Sequence, residues 1–258
     1  MTPDWNARQY ALFEAERTRP ALDLLARIGE ADRRFIVDLG CGPGNSTQIL
    51  RTRFPKGNIL GLDSSPDMIA AAKLRLPDCQ FELADIARWR SQGLDLIFAN
   101  AVLQWVPDHI AVMRRLIAML GPSGCLAVQM PDNLAEPSHE MMRKVALRPP
   151  FANKLAAAAA ERETLPGFER YHDALELSGA DVTVWRTNYV HRLQGDGAIV
   201  EWLKATGLRP FLAPLTEPER HRFIDLYRQE LKIAYPARSD GFVLLPFPRL
   251  FIVAHNRR

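Results

Sequence analysis

The sequence predicts an α/β fold: a doubly wound, mostly parallel sheet, with its last strand antiparallel and a helical cap inserted. Three observations predict it. Short apolar runs alternate with helical patterns from Phe35 to Met130, and such alternation builds a sheet with helices on both faces. A glycine-rich turn, Gly40-Cys41-Gly42-Pro43-Gly44, follows the first run directly. Acidic or amide side chains recur where later runs end, at Asp63, Asp85 and Asn100, the edge along which open α/β sheets hold ligands.

Taken in order, residues 6–28 read as two helices divided at Pro20, with Thr18 as N-cap of the second. Strand patterns follow at 35–39, 58–62, 79–83, 94–99 and 124–130. Helices fall between them at 45–54, at 66–76 behind the cap Ser65-Pro66, and at 108–120. From Pro131 the alternation stops. Residues 132–165 hold several prolines and the run Ala156 to Ala160, which favours helix on propensity. A helix at 168–177, an alternating strand at 182–193 and helices at 198–206 and 217–235 follow. The apolar run 242–254 reads as a strand that Pro246 and Pro248 oblige to bulge or break. The expected organisation is one domain over 1–258, with a core of 30–131, 166–193 and 241–258. Residues 132–165 and 194–240 would form the cap, and N-terminal helices within 4–29 would lie over the cleft.

Composition narrows the function. The 33 basic and 30 acidic side chains leave a net charge of +3, and no basic block stands out, so nucleic acid is not an expected partner. Cys41, Cys79 and Cys125 are odd in number and far apart. Neither a disulfide framework nor a zinc site follows from them. No metal-ligand spacing appears elsewhere. The N-terminus lacks a basic patch leading into an apolar stretch, and no uncharged run is long enough to span a bilayer. A cytoplasmic protein without a membrane partner is expected.

The chemistry gathers at the glycine turn. Gly40, Gly42 and Gly44 give G-x-G-x-G, which differs from the G-x-G-x-x-G of dinucleotide binders and from a phosphate loop. A turn without a phosphate role, in a fold that holds adenosine, points to S-adenosylmethionine. Asp63 follows Gly40 by 23 residues, where a carboxylate can take both ribose hydroxyls. Asp85 is placed to accept from the adenine amine, and Asn100 to face the methionine part. Asp38, inside the strand, reads as an internal brace for the loop.

At these residues the sequence resembles the class I S-adenosylmethionine-dependent methyltransferases, whose fold is Rossmann-like. The matching stretches are VDLGCGPGNST, GLDSS, ADI and LDLIFANAVLQWV, within residues 35–130. Further segments resemble the trans-aconitate 2-methyltransferase family from end to end. They are Asp4-Trp5-Asn6 with Tyr10, Phe13, Glu16, Arg17 and Arg19-Pro20, then Ala127 to Asn133, Trp185-Arg186-Thr187, Ala205 to Pro210 and Phe247 to Ala254. The alanine-rich piece 154–163 is the least family-like. The resemblance implies a cofactor set of Gly40, Gly42, Gly44, Asp63, Ser64, Met68, Asp85, Ile86 and Asn100. Tyr10 and Trp105 would serve as walls. For Met68 and Ile86 the alternative is core packing.

The implied acceptor is a small polycarboxylate. Arginine pairs with carboxylate in a fork, and Arg186, Arg209 and Arg249, with Tyr189, are the candidates. The competing reading of each arginine is a solvated surface role, although aromatic neighbours favour burial. His172 and His191 receive no role. The implied reaction is an in-line displacement by a carboxylate oxygen, giving a monomethyl ester, by a chain expected to be monomeric. The rivals are methyl transfer to another small molecule and a non-catalytic S-adenosylmethionine-binding regulator.

Overall fold

The computed structural model describes residues 14–160, 163–204 and 206–257. They form two compact units. One holds residues up to Pro131, Pro166–Thr187 and residues from Arg249; the other holds Asp132–Leu165 and Asn188–Pro248.

In the first unit the expected alternation is realised. Helix α1 (Glu14–Leu25) is followed by β1 (Phe35–Leu39), α2 (Asn45–Arg53), β2 (Asn58–Asp63), α3 (Pro66–Arg75), β3 (Gln80–Leu83) and β4 (Leu94–Asn100). Helix α4 (His109–Ile117) and strand β5 (Leu120–Pro131) continue it, and later comes α7 (Phe168–Glu176); β6 (Ala180–Gln194) and β7 (Phe242–Asn256) are divided between the units, residues 180–187 and 249–256 falling in this one. The strand order is β3-β2-β1-β4-β5-β7-β6. Strands β1, β2, β3, β4 and β5 run parallel to one another, and β7 pairs antiparallel with β5 from Cys125↔His255 to Pro131↔Arg249.

Burial explains why the central strands are apolar on both faces. In β4 Leu96, Ile97, Phe98 and Ala99 are all inaccessible, as a parallel strand covered by helices on each side requires. Helix α4 turns Val112, Met113, Leu116 and Ile117 inward. The cap read at Ser65 is present: its hydroxyl accepts from the Met68 amide at 3.3 Å, and Pro66 occupies the first turn.

Two expectations are corrected here. Pro20 does not divide the N-terminal helix; it lies inside α1. An interior proline costs a hydrogen bond, and here the buried face of Pro20, Ala21, Leu24 and Leu25 offsets that loss. Pro246 and Pro248 do not interrupt β7 either. The β5 ladder reaches only as far as Arg249, so neither proline removes a donor from it.

In the second unit α5 (Pro137–Ala146), α6 (Ala152–Ala160), α8 (Gly195–Lys204), α9 (Arg209–Leu212) and α10 (Glu217–Ala234) enclose their own core. The alanine run forms α6 as its propensity predicts. Helix α10 opens with a capping box of Thr216 and Glu219. Its buried Tyr227 donates to the Ser138 carbonyl at 2.7 Å, and the Ser138 amide donates to the Tyr235 hydroxyl at 3.0 Å.

Candidate active site

The glycine turn leaves β1 and is tied to β2 by Cys41 N–H donating to the Leu62 carbonyl at 2.9 Å. Gly40, Gly42 and Gly44 all have positive φ, at 64°, 55° and 92°, where other L residues are strained. The first two differ in surroundings. A Cβ on Gly40 would lie 2.3 Å from a Val102 methyl, whereas one on Gly42 meets nothing within 4 Å. Gly40 is therefore sterically required, and Gly42 leaves its backbone open to a ligand.

Asp63, the last residue of β2, braces this turn. One carboxylate oxygen accepts from the Gly42 amide and the other from the Ser65 amide, both at 2.9 Å. Asp38 braces it from below, through side chains rather than backbone amides. Its Oδ2 accepts from the hydroxyls of Ser46 and Thr47, both at 2.6 Å, in the first turn of α2. Burial pushes the Asp38 carboxyl up to about 7, against those two hydrogen bonds. Cys41 is held as a neutral thiol by its burial and by the neighbouring Asp38 and Asp63, so it is not a nucleophile here.

The Asp38 shift has a measurable consequence. Between about pH 4 and 7 the folded chain keeps a proton at Asp38 that the unfolded chain has released, so stability falls as pH rises through that window. Relative to Asp38→Asn, the wild-type unfolding free energy is expected to decline by up to about 1.4 kcal/mol per pH unit there. It should be level above about pH 8. Urea unfolding of both proteins at matched pH measures this; parallel pH curves would show that Asp38 titrates normally.

The other proposed cofactor residues are distributed around the same strand ends. Ser64 is exposed beside Asp63, while Met68 and Ile86 are buried. Asp85 stands two residues beyond β3, rather than closing it, and is exposed. Its Oδ1 accepts from the Ala87 amide at 2.9 Å. Trp105 ends the short 3-10 turn Leu103–Trp105 and is half-buried. Tyr10 lies outside the described residues.

Asn100 ends β4, and its Oδ1 is buried with no hydrogen-bond partner among the described residues. Asn100 lines a pocket together with Arg17, Gly40, Gly42, Asn45 and Ser46. Arg17 was absent from the sequence-derived site. Its signal was nonetheless there: Arg17, Ala21, Leu24 and Ile28 recur at helical spacing, and all four are buried. A charge on an apolar stripe is unusual enough to mark a site.

The acceptor candidates separate. Arg249 is only 4% exposed and donates to Gln129 Oε1 at 3.0 Å, as its aromatic surroundings predicted. Arg186 is exposed instead, its guanidinium 5.0 Å from the Phe168 ring. The neighbour used to infer its burial, Trp185, points to the opposite face of β6 and stacks on Phe251 at 4.9 Å. Tyr189 is buried and Arg209 opens α9, both in the second unit. His191 is core, packed on Trp202 at 4.3 Å, and His172 is an exposed neighbour of Asp173.

Comparison with known proteins agrees with this geometry. Residues 32–177 match the family described as a methyltransferase domain, so the sheet and its glycine turn are those of a methyltransferase. The chain is 56% identical to the trans-aconitate 2-methyltransferase of Methylobacterium nodulans, over 99% of both chains. It is 51% identical to that of Escherichia coli O157:H7, over 98% of both. The chain belongs to the trans-aconitate 2-methyltransferase family.

Solved structures share the fold. The YcgJ protein of Bacillus subtilis superposes with a TM-score of 0.61 at 14% identity, covering 93% of this chain and 99% of that one. Phosphoethanolamine N-methyltransferase 2 of Haemonchus contortus, in complex with S-adenosyl-L-methionine, gives 0.56 at 17% identity, covering 93% of this chain and 53% of that one.

Proposed function

We propose that this chain transfers a methyl group from S-adenosylmethionine to a carboxylate of trans-aconitate, giving the monomethyl ester and S-adenosylhomocysteine. The carrying observation is the full-length match to relatives of that name. When bound, S-adenosylmethionine supplies an electrophilic methyl group on a sulfonium.

The residues at the strand ends suit that cofactor. Asp63 retains lone pairs for the ribose hydroxyls beyond those used on Gly42 and Ser65. Asp85 is placed for the adenine amine, and Ser64, Met68, Ile86 and Trp105 for the nucleoside's remaining surface. An amino-acid tail needs a cation for its carboxylate and an acceptor for its ammonium. Arg17 and the unpartnered Asn100 Oδ1 provide them in one pocket. Gly42 lets backbone approach the ligand, while Gly40 and Gly44 supply the positive-φ path of the turn that presents it.

Of the proposed acceptor residues, Arg249 has the strongest case, because a buried guanidinium is organised for a carboxylate. Arg186, Arg209 and Tyr189 are proposed on the family resemblance alone. The work of these side chains is orientation and exclusion of water. Among the described residues no helix is long and apolar enough to cross a membrane. A cytoplasmic monomer without a nucleic-acid partner completes the proposal.

The test is mass spectrometry of the product from trans-aconitate and methyl-labelled S-adenosylmethionine. A labelled monoester is expected; binding of the cofactor with no turnover on trans-aconitate would favour a regulator or another acceptor.

A pH profile tests the chemistry separately. The acceptor carboxyl, with an ordinary pKa of about 4, is already ionised at neutral pH, so no general base is needed. Single-turnover rates at saturating substrates are expected to be flat from about pH 8 to 9, above the Asp38 titration. A limb in that range would indicate a base and a protonated acceptor group.

A further inference from the structure

Gln129 is a polar side chain with no exposed surface, placed where β5 reaches the carboxyl edge of the sheet. Its neighbours fix what it can do. It stands in register with Asn100 across the β4–β5 pair, and its carbonyl accepts from the Ala101 amide at 2.8 Å. Its side-chain Oε1 accepts from Arg249 Nη1 at 3.0 Å.

That bond settles the orientation of the amide. A guanidinium offers only donors, so the oxygen must face Arg249 and the NH2 group must point away. The Nε2 atom is buried and has no hydrogen-bond partner among the described residues. A buried donor left unmade carries a desolvation cost, and in a native structure it calls for a specific explanation, a functional partner among them. Beside it, Asn100 Oδ1 is likewise buried and unpartnered. Two amide groups on adjacent, in-register strands, one oriented by a buried arginine, are thus each left with an unfilled polar atom, and Asn100 lines the pocket at the glycine turn.

We infer that Gln129 is an acceptor-binding residue, its Nε2 donating to a carboxylate oxygen of the substrate while Arg249 holds its amide in place. The inference rests on the polycarboxylate reading of the function. A tricarboxylate has two carboxylates that do not react, and holding one of them selects such acids over smaller ones.

The discriminating variant is Gln129→Glu. It keeps the shape and the oxygen that Arg249 needs, and replaces the donor with a second acceptor. Its added charge also pairs with Arg249 and repels acceptor carboxylates generally, so the donor role is isolated by comparison with the uncharged Gln129→Met and with an acid that lacks the held carboxylate. The expected result is a KM for trans-aconitate raised about ten- to a hundredfold, the usual effect of losing a hydrogen bond to a charged group. Cofactor affinity by titration calorimetry and thermal midpoint should stay close to wild type. Gln129→Met, which lacks donor and acceptor alike, should raise KM comparably and also lower the midpoint. A dicarboxylate analogue that lacks the held carboxylate should show little difference between wild type and Gln129→Glu.

A KM within twofold of wild type for Gln129→Glu overturns the inference, as does a fall in kcat at unchanged KM. Failure of the functional reading looks different: the wild-type protein itself would form no ester from trans-aconitate.

Discussion

Asp63→Ala is expected to weaken S-adenosylmethionine binding by about 1.5 to 3 kcal/mol, roughly ten- to a hundredfold in Kd. The loss has two sources. The carboxylate is the proposed partner of the ribose hydroxyls, and it also fixes the Gly42 and Ser65 amides at 2.9 Å. Asp63→Asn separates them, because an amide keeps one acceptor for the turn and offers a weaker, uncharged group to the ribose. Its affinity should fall between wild type and Asp63→Ala. Titration calorimetry measures the affinities, and thermal unfolding shows that each variant is folded. An unchanged Kd in a folded Asp63→Ala protein would remove this residue from the ribose role.

Gly40→Ala is expected to destabilise the fold by about 2 to 4 kcal/mol, combining positive-φ strain with overpacking. The new methyl would sit 2.3 Å from Val102, and φ at this position is 64°. Gly42→Ala should behave in the opposite manner. Its Cβ has open space, so only a conformational cost of about 1 kcal/mol applies, but the methyl intrudes on the ligand's side of the turn. Gly40→Ala should thus lower the urea midpoint the more, and Gly42→Ala should weaken cofactor binding more than it weakens the fold. Equal urea midpoints for the two variants would show that Val102 yields freely.

The contrast between these glycines shows what could be read from sequence. The positions of β1, β2 and β4, the turn between them and the acids at the strand ends are local signals. Glycine, proline and apolar period mark them within a few residues. Which glycine is sterically pinned depends on Val102, some 60 residues further along, and no local pattern carries that. The helix across Pro20 and the unbroken β7 were misread for the same reason: burial and pairing partners, absent from the local sequence, override a proline's preference. The expected burial of Arg186 failed on parity. Residues 185 and 189 share one face of β6, so aromatic neighbours there say nothing about burial of residue 186 on the other. Gln129 lay within the family-like stretch Ala127 to Asn133, but nothing local singled it out there, since an isolated glutamine in an apolar run shows no role until its partner Arg249 is seen.

The pairing of β5 with β7 also has consequences for how the chain assembles. The parallel pairs from β1 to β5 close loops of at most about 60 residues, as at Ile36↔Leu96. The β5–β7 ladder instead joins residues such as Met130 and Leu250, and the Arg249–Gln129 bond spans 120 positions. A loop twice that length adds about 0.6 kcal/mol of closure entropy, so this seam is expected to close after the parallel pairs. Until it closes, the inner edge of β5 presents unpaired N–H and C=O groups, the condition that invites pairing between chains. The buried arginine that orients Gln129 arrives with the same strand. A chain with its first five strands in place would already have the glycine turn and Asp63, yet would lack that arginine, so competence for the cofactor should precede competence for the acid.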